Sequence, residues 1–284
     1  MRYALVELDG HPTLCARQGE RYFVIDTEGE APGSVLARFL ASPMEASTAV
    51  AEATRKGQGV DAASAKLLPP ICGPGTKVLC LGLNYVDHAA EASYQKPEYP
   101  VVFARFPESF VGHREPIDYP ARSTMLDYEA EMVAVIGKGG RRISKEQALE
   151  HVAGFTLMND GSVRDVQTHT HQWMLGKNFD RSGSLGPEIV TADELPRGGS
   201  GLMLSGRLNG EVMQQMSTAD MIFDLATQVA YVSEAVELRP GDLIATGTPA
   251  GVGHARKPPV YMKPGDVFEV EVERLGVLSN RIGA

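Results

Sequence analysis

The sequence predicts a β-rich α+β fold. Short runs of apolar, often β-branched residues recur along most of the chain, and turns containing Gly and Pro separate them, as in strands. Longer stretches with helical spacing of apolar residues are confined to residues 35–56 and 220–236. Strands and helices therefore do not alternate as they do in a doubly wound sheet, and no repeat of solenoid length appears.

The first 70 residues differ from the rest and are predicted to form a small N-terminal α+β domain. Residues 3–8 and 21–26 alternate in polarity and are separated by polar residues and Gly, as in a hairpin or meander. Residues 35–56 are Ala-rich with helical spacing. Residues 67–75 resemble a linker, because their prolines and glycines disfavour both helix and sheet. The predicted domains are residues 1–70 and 71–284.

The larger domain is predicted to consist mainly of strands. The predicted strands are residues 77–83, 101–106, 126–136, 152–159, 242–246 and 267–273. Residues 84–92 could form a short helix, and a capping-box pattern at Ser144 predicts another helix as far as about His151. The helix predicted at 220–236 could be capped by Ser217 or Thr218.

The composition is that of a soluble globular protein, with 43% hydrophobic and 22% charged residues. No apolar run approaches the roughly 18 residues that a membrane-spanning helix needs, and the N-terminus is too charged for a signal peptide. The three cysteines form no C-x-x-C pair, which favours a reducing compartment and a cytoplasmic location. The net charge of −9 argues against a nucleic-acid partner but not against a small anionic substrate.

Three carboxylates are the candidates for a metal site. In the predicted strand 126–136, Glu129 and Glu131 point to the same face, because side chains alternate along a strand. Two neighbouring carboxylates on a face that continues into the core need a shared proton or a cation. Asp160 ends the next apolar run, and three such oxygen ligands would suit Mg²⁺ or Mn²⁺. The alternative is that one or both glutamates lie on a solvated face.

His88 and Glu91 are the candidates for proton transfer. They lie three residues apart, so on a helical turn they share a face, where the carboxylate could orient the imidazole as a general base for water. The alternative is a surface ion pair. Lys177 could neutralise carboxylates beside a metal or stabilise a developing enolate, unless it simply extends its charged end into solvent.

Further polar residues could bind the substrate. Arg164 and Gln167 follow the third carboxylate closely and could face a substrate carboxylate, although Arg164 could instead pair with a nearby acid. The Gly-rich segment 246–253 lacks both common nucleotide-binding patterns, but its N–H groups could hold a carboxylate or an oxyanion. We do not expect His169 and His171 to bind the metal, because imidazoles suit softer metals than a carboxylate site does.

Taken together, these motifs resemble the fumarylacetoacetate hydrolase family. The matching stretches are residues 82–91, 127–131, 159–167, 176–180, 208–210, 240–242, 246–249 and 263–266. One such stretch would be weak, but a series in consistent order from about residue 77 to 282 is specific. The preceding segment is similar to the small variable domain of many bacterial members. Gly161 and Val163 stand where we expect an apolar and a small residue, respectively, and no candidate ligand is lost.

The resemblance implies a mixed β-roll catalytic domain in which the three carboxylates hold Mg²⁺ or Mn²⁺. It implies that Lys177 lies beside the metal and that His88 and Glu91 form a water-activating dyad on a lid over the substrate. Members act on small keto acids, commonly as homodimers. We therefore expect a small anionic keto-acid substrate, a homodimer, and no nucleic-acid or membrane partner.

The combined residues predict a metal-dependent hydrolase that cleaves a C–C bond in a β-diketo acid of the acylpyruvate or fumarylpyruvate type. The metal would stabilise the departing enolate, the dyad would activate water, and Lys177 or the Thr248 loop would stabilise the oxyanion. The candidates for substrate binding are Arg105, Tyr128, Arg164, Gln167 and Thr248. Tyr85, Phe106, Phe110 and Tyr128 could line an aromatic pocket or belong to the core.

Two other functions remain open at this point. The same enolate chemistry serves isomerisation of 2-hydroxy-dienoates in aromatic catabolism and decarboxylation of oxaloacetate-like acids. A catalytically silent ligand-binding protein is a third possibility, and the complete set of candidate catalytic residues argues against it.

Overall fold

The computed structural model describes residues 1–71, 73, 75–91 and 95–284. The α-helices are α1 (Pro32–Ala41), α2 (Pro43–Lys56), α3 (Val86–Glu91), α4 (Arg164–Gln167) and α5 (Leu225–Ala235). The strands are β1 (Arg2–Leu8), β2 (His11–Gln18), β3 (Arg21–Val24), β4 (Gly59–Asp61), β5 (Leu67–Leu68), β6 (Val78–Gly82), β7 (Val101–Arg105), β8 (Phe110–Val111), β9 (Leu126–Asp127), β10 (Ala130–Ile136), β11 (Val152–Asn159), β12 (Ser162–Val163), β13 (Gly183–Thr191), β14 (Met203–Leu208), β15 (Glu211–Ser217), β16 (Leu243–Ala245), β17 (Val267–Val272) and β18 (Gly276–Arg281). Short 3-10 helices cover Pro107–Ser109, Ala148–His151, Trp173–Lys177, Ala192–Glu194, Arg197–Gly199, Thr218–Asp220 and Gly253–Ala255.

Twelve of the strands in the described residues form one large mixed sheet. Its strand order is β4-β3-β2-β1-β13-β11-β10-β16-β6-β7, and β5 and β8 pair at its side with β1 and β13. The β16–β6 and β13–β8 pairs are parallel, whereas β10 is antiparallel to both its neighbours. A smaller sheet has the order β15-β14-β17-β18, and β9 pairs with β12. The predicted β-rich α+β class is therefore confirmed.

The large sheet is covered on both faces. Val133 and Val135 of β10 belong to the core that contains the buried sides of α1 and α2. Met132 and Ala134 belong to the core shared with the small sheet and α5. Every residue of β10 is buried, as in a strand that packs on both faces. By alternation, Glu131 lies on the face of Val133 and Val135, as predicted.

The N-terminal strands continue the large sheet. Arg2 and Tyr3 of β1 pair with Val190 and Ile189 of β13, respectively. The segment between the two predicted runs is itself the strand β2, which the sequence did not reveal because its ends are polar and exposed. In the predicted linker, β5 pairs with β1, and Cys72 and Pro74 lie outside the described residues. The division of the chain at residue 70 stays a prediction.

The helical pattern predicted over residues 35–56 is confirmed, and the chain divides it between two helices. Ser42 separates α1 from α2, and Pro43 begins α2. Proline has no N–H to donate to the preceding turn, but it fits the first position of a new helix. Gly57, with φ of 73°, ends α2 in the left-handed conformation that glycine adopts readily.

The short helix expected within residues 84–92 is α3, whereas two further helix predictions need correction. The helix expected over 220–236 begins only at Leu225, where the Asp224 carboxylate accepts the N–H of Thr227 at 2.8 Å. Ser217 caps a short 3-10 helix instead. The segment after Ser144 forms a turn and a 3-10 helix, because β11 begins immediately afterwards and leaves no room for an α-helix.

No helix in the described part of the chain is both long and apolar enough to span a membrane. Cys15 and Cys80 are buried free thiols, and the third cysteine lies outside the described residues.

A half-buried histidine predicts acid sensitivity of the fold. Burial, together with the charge of Arg114, lowers the pKa of His113 to about 4, and its Nδ1 accepts the N–H of Ser279 in β18 at 3.1 Å. Below pH ~6.5 the unfolded chain binds a proton that the native state does not, so stability falls with pH until about pH 4. We expect wild type to lose about 1 kcal/mol more than His113→Gln between pH 7 and pH 5, after discounting for partial exposure.

Urea unfolding at the two pH values measures this difference. Glutamine can still accept the N–H of Ser279 but does not titrate. The control His11→Gln changes an exposed histidine and should follow wild type. Equal pH dependence of wild type and His113→Gln would contradict the prediction.

Candidate metal centre and active-site cavity

Three buried carboxylates meet where β10 and β11 pair. Glu131 lies in β10, Glu129 directly precedes this strand, and Asp160 directly follows β11. The pairing of Ala130 with Asn159 brings these strand ends together. One ligand oxygen from each carboxylate lies within 4.8 Å of the others, and all three side chains are buried. The structure therefore brings together the three residues predicted as metal ligands.

Cations neutralise two of these carboxylates. The Lys177 Nζ lies 2.9 Å from Glu129 Oε2 and 2.6 Å from Asp160 Oδ2. Arg164 Nη2 lies 2.7 Å from Glu129 Oε1, and Arg105 Nη1 lies 2.6 Å from Asp160 Oδ1. No lysine or arginine of the described chain forms an ion pair with the third carboxylate, Glu131.

The pKa values of these side chains reflect which carboxylates are paired with a cation and which is not. Burial alone would raise the pKa of Glu129, but the charges of Lys177 and then Arg164 lower it to about 2. Burial alone would likewise lower the pKa of Lys177, but the carboxylates of Asp160 and Glu129 raise it above its usual value. Burial and the negative charges of Asp160 and Glu129 hold the pKa of Glu131 well above its usual range.

A hard divalent cation fits this centre. The buried charged side chains that meet at this centre are the carboxylates of Asp127, Glu129, Glu131 and Asp160 and the cations of Arg105, Arg164 and Lys177. With Glu131 ionised, the group has one uncompensated negative charge, so Glu131 must hold a proton or share a cation. Carboxylate oxygens are the ligands that Mg²⁺ and Mn²⁺ prefer, so Glu129, Glu131 and Asp160 could hold either metal.

A histidine–glutamate pair is carried by the short helix α3. His88 Nδ1 lies 2.8 Å from Glu91 Oε1, and Glu91 Oε2 accepts the N–H of Gly251 at 2.9 Å. Because a carboxylate can only accept, His88 Nδ1 carries the hydrogen and leaves Nε2 free to exchange a proton. The beginning of α3 is held by Asn84, whose amide donates to Thr246 O at 2.7 Å. Residues 92–94 of the predicted lid lie outside the described residues.

A cavity of about 490 Å³ brings the dyad and the metal centre together. Six of the predicted site residues line it, namely His88, Glu91, Glu129, Arg164, Gln167 and Lys177. The histidine–glutamate pair therefore opens onto the same space as Glu129, and it is not the surface ion pair that spacing alone left open.

Three predicted substrate ligands do not line this cavity. The Arg105 guanidinium is buried against Asp160, and the hydroxyl of Tyr128 donates to Gly251 O at 3.2 Å while its ring stacks on Phe268. The Thr248 hydroxyl donates to Ala130 O at 3.0 Å. These contacts give each residue a role in supporting the site, and their contact with substrate stays a prediction.

The Gly-rich loop after β16 binds carboxylates of the protein itself. The N–H of Gly247 donates to Glu131 Oε2 at 2.9 Å, and that of Gly251 donates to Glu91. The N–H of Gly253 donates to Asp127 Oδ1 at 2.8 Å. The carboxylates bound by these N–H groups belong to a candidate metal ligand, to the dyad and to Asp127, and a contact of the loop with a substrate carboxylate or an oxyanion stays a prediction.

The sequence analysis did not identify several residues that support or line the site. Asp127 accepts the N–H groups of Gly253 and His254 and pairs with Arg164 Nε at 2.8 Å, so it links the loop to a residue that contacts Glu129. The signal was the alternation Asp127-x-Glu129-x-Glu131, which places a further acid beside the pair. The aromatic wall of the cavity is formed by Phe103 and Trp173, whose rings meet edge to face at 6.0 Å.

The four aromatic residues that the sequence suggested for a pocket or the core do not line the cavity. Tyr85, Phe110 and Tyr128 are buried in the protein, whereas Phe106 is about half exposed, and none of the four lines the cavity.

Gly161, where an apolar residue was expected, is required by close packing. A Cβ at this position would lie 1.9 Å from Ser182 O, far inside van der Waals contact. This approach lets the backbone turn directly after Asp160, so the glycine helps to position a candidate ligand.

Comparisons with known proteins agree with this architecture. The family described as "Fumarylacetoacetate (FAA) hydrolase C-terminal" matches residues 77–283. The mitochondrial oxaloacetate tautomerase of Xenopus laevis is 44% identical over 218 residues, which cover 76% of this chain and 68% of that protein. A fumarylacetoacetate hydrolase from Exiguobacterium antarcticum superposes with a TM-score of 0.83 at 34% identity, covering 100% of this chain and 99% of its own. Fumarylpyruvate hydrolase from Pseudomonas aeruginosa, solved with Mn²⁺ and pyruvate, superposes with a TM-score of 0.67 at 34% identity, covering 76% of this chain and 91% of its own.

Proposed function

The chain belongs to the fumarylacetoacetate hydrolase family, and from this premise we propose that it is a divalent-metal-dependent tautomerase of a small 2-oxo acid. Oxaloacetate is the proposed substrate, and interconversion of its keto and enol forms is the proposed reaction. The observation that carries the proposal is that the His88–Glu91 pair and Glu129 line one cavity. A proton-transfer group thereby lies beside a centre that fits a chelating cation.

Tautomerisation requires one proton to leave carbon 3 and another to reach the 2-oxo oxygen. A bound Mg²⁺ or Mn²⁺ would supply Lewis-acid stabilisation of the negative charge on that oxygen. His88 exchanges the carbon-bound proton through Nε2, because Nδ1 is held by Glu91 at 2.8 Å. Arg164 lines the same cavity and offers a cation to the substrate carboxylate.

Lys177 has a supporting function in this scheme. Its ammonium group contacts two of the three candidate ligands and keeps Glu129 ionised, since the pKa of Glu129 is lowered to about 2. An ionised carboxylate is the form that binds a metal. The ammonium group also adds positive charge to the cavity in which the enolate forms.

The choice of oxaloacetate is supported by relatives. The proteins named as oxaloacetate tautomerases include the Xenopus laevis relative, which shares 44% identity with this chain. Tautomerisation belongs to the isomerase class that the sequence left open beside hydrolysis.

Hydrolysis of a C–C bond, which the sequence favoured, is the second candidate. The His88–Glu91 pair could activate water in place of exchanging a carbon-bound proton. The similarity to fumarylpyruvate hydrolase supports this reading.

The decay of the enol absorbance of oxaloacetate tests the proposal. Chelator-treated protein should leave the decay at the rate of buffer alone, and added Mg²⁺ or Mn²⁺ should accelerate it well beyond the same metal without protein. Protein that gives no acceleration beyond the metal-only control would refute tautomerisation.

A further inference from the structure

We propose that Arg256 and Lys257 form a second carboxylate-binding subsite at the mouth of the cavity, which selects dicarboxylic substrates. This inference deepens the proposed function and rests on it for the identity of the ligand. Both residues lie in the segment 254–257, which follows the Gly-rich loop and lines the same cavity as Glu129 and His88. Neither residue was singled out by the sequence motifs.

The first observation is the charge of the cavity. Among its lining residues, the cations are Arg164, Lys177, Arg256 and Lys257, and the carboxylates are Glu91 and Glu129. The residues that line the cavity therefore include more cations than carboxylates, although the chain carries a net charge of −9. Such a lining attracts a ligand with more than one negative charge.

The second observation is that these cations divide into two groups. Arg164 and Lys177 are already paired with buried carboxylates of the metal centre. Arg256 and Lys257 form no ion pair with any acid in the described parts of the chain. A substrate carboxylate would thus meet two uncompensated cations on this side of the cavity.

The third observation is that the segment is held rigidly. Asp127 accepts the N–H groups of Gly253 at 2.8 Å and His254 at 2.9 Å, and Val260 donates its N–H to Gly253 O at 3.0 Å. A Cβ at position 253 would lie 1.8 Å from Val260 O, so this close approach requires glycine. Binding here loses little conformational entropy in the loop.

Arg256 is itself pre-oriented. Its Nη2 donates to Met213 O at 2.8 Å, and its Nε donates to Gly251 O at 3.3 Å. These bonds and a hydrogen bond to the Tyr128 side chain fix the guanidinium plane, and no described carboxylate pairs with this guanidinium. Half-buried Arg256 should contribute more than exposed Lys257, because exposed ion pairs are weakened by water and salt.

A dicarboxylate would therefore use both ends of the cavity. One carboxylate and the 2-oxo group belong at the metal centre, and the other carboxylate belongs at Arg256 and Lys257. A monoanion of the same shape loses the second contact, so the subsite accounts for selection of oxaloacetate over monocarboxylic 2-oxo acids.

The test compares the affinities of oxaloacetate and its 4-methyl ester, in which the distal carboxylate is replaced by an uncharged ester group. Trp173 is the single tryptophan of the chain and lines the cavity, so its fluorescence, corrected for ligand absorbance, reports binding without requiring turnover. The titrations use the full chain with Mg²⁺. Wild type should bind the diacid about tenfold more tightly than the ester, since a charge-assisted contact to Arg has this magnitude.

The variants assign this preference to residues. Arg256→Gln should reduce it to about twofold, Lys257→Gln should reduce it less, and Arg256→Lys should keep part of it, because charge remains but the planar fork is lost. The control Arg55→Gln/Lys263→Gln removes two exposed charges outside the cavity and should keep the full preference.

The outcomes separate this inference from the proposed function. A preference that is absent in wild type, or unchanged in Arg256→Gln and Lys257→Gln, overturns the subsite. A preference that disappears in the variants supports it. If wild type prefers the diacid in this way but does not accelerate tautomerisation, the subsite stands and the proposed reaction fails.

Discussion

We expect Mn²⁺ to raise the Tm of wild type, and replacing Glu131 with glutamine is expected to abolish this rise and to lower the proposed metal-dependent kcat at least about a thousandfold. Burial and two neighbouring carboxylates hold the pKa of Glu131 well above its usual range. Without a cation to share, Glu131 would be an uncompensated buried charge, so we expect it to hold a proton in the metal-free protein. Glutamine has nearly the same shape as the neutral acid. The metal-free variant should therefore unfold at the temperature of wild type, and only its response to metal should be lost.

Two further variants make this test specific. Glu129→Gln should lower the Tm of the metal-free protein, because it removes the carboxylate that pairs with Lys177 and Arg164 and leaves buried cations uncompensated. The exposed Glu211→Gln should match wild type with and without metal. A Glu131→Gln protein that keeps the full metal-induced rise in Tm would show that the metal binds elsewhere.

Replacing His88 with glutamine is expected to lower kcat by about 10²- to 10⁴-fold, which is the usual contribution of a positioned acid–base group. The metal-induced rise in Tm should not change, because His88 is not one of the three carboxylate residues whose ligand atoms converge. Kinetics on oxaloacetate and thermal unfolding with Mn²⁺ measure the two effects on the same preparation. Loss of the Tm response in His88→Gln would contradict the division between metal binding and proton transfer.

Glu91 and an exposed histidine supply the matched variants. Glu91→Gln keeps a hydrogen-bond partner for His88 Nδ1 but no longer stabilises the protonated imidazole, so its kcat should fall less than that of His88→Gln. The control His169→Gln changes an exposed histidine that does not line the cavity and should leave kcat within about twofold of wild type.

The candidate ligands could be predicted because their signals are local. Glu129 and Glu131 are two residues apart next to a strand buried on both faces, and Asp160 directly follows another. Strand alternation and the cost of burying like charges then suffice to suggest a metal. The division between α1 and α2 at Pro43 is also a local signal, because proline lacks the N–H that would continue the preceding helix.

The substrate side of the site depends on distant contacts and could not be predicted. Arg105 is in β7, at the edge of the large sheet, and its pairing with Asp160 follows from sheet order, which the sequence does not specify. Arg256 lines the cavity in a segment whose preceding loop is bound by Asp127, more than a hundred residues earlier. The homodimer and the cytoplasmic location stay predictions, and the Xenopus laevis relative is named as mitochondrial.

The central claim is that this chain performs metal-dependent keto–enol chemistry on oxaloacetate. The most direct test measures kcat/KM for oxaloacetate tautomerisation and for acetylpyruvate cleavage on one chelator-treated preparation, before and after adding Mg²⁺. We predict that Mg²⁺ accelerates tautomerisation and that kcat/KM for tautomerisation is much higher than kcat/KM for acetylpyruvate cleavage. The Glu131→Gln variant should show neither tautomerisation nor cleavage above the metal-only rate. Metal-dependent loss of acetylpyruvate without accelerated tautomerisation would contradict this claim and establish the hydrolase in its place.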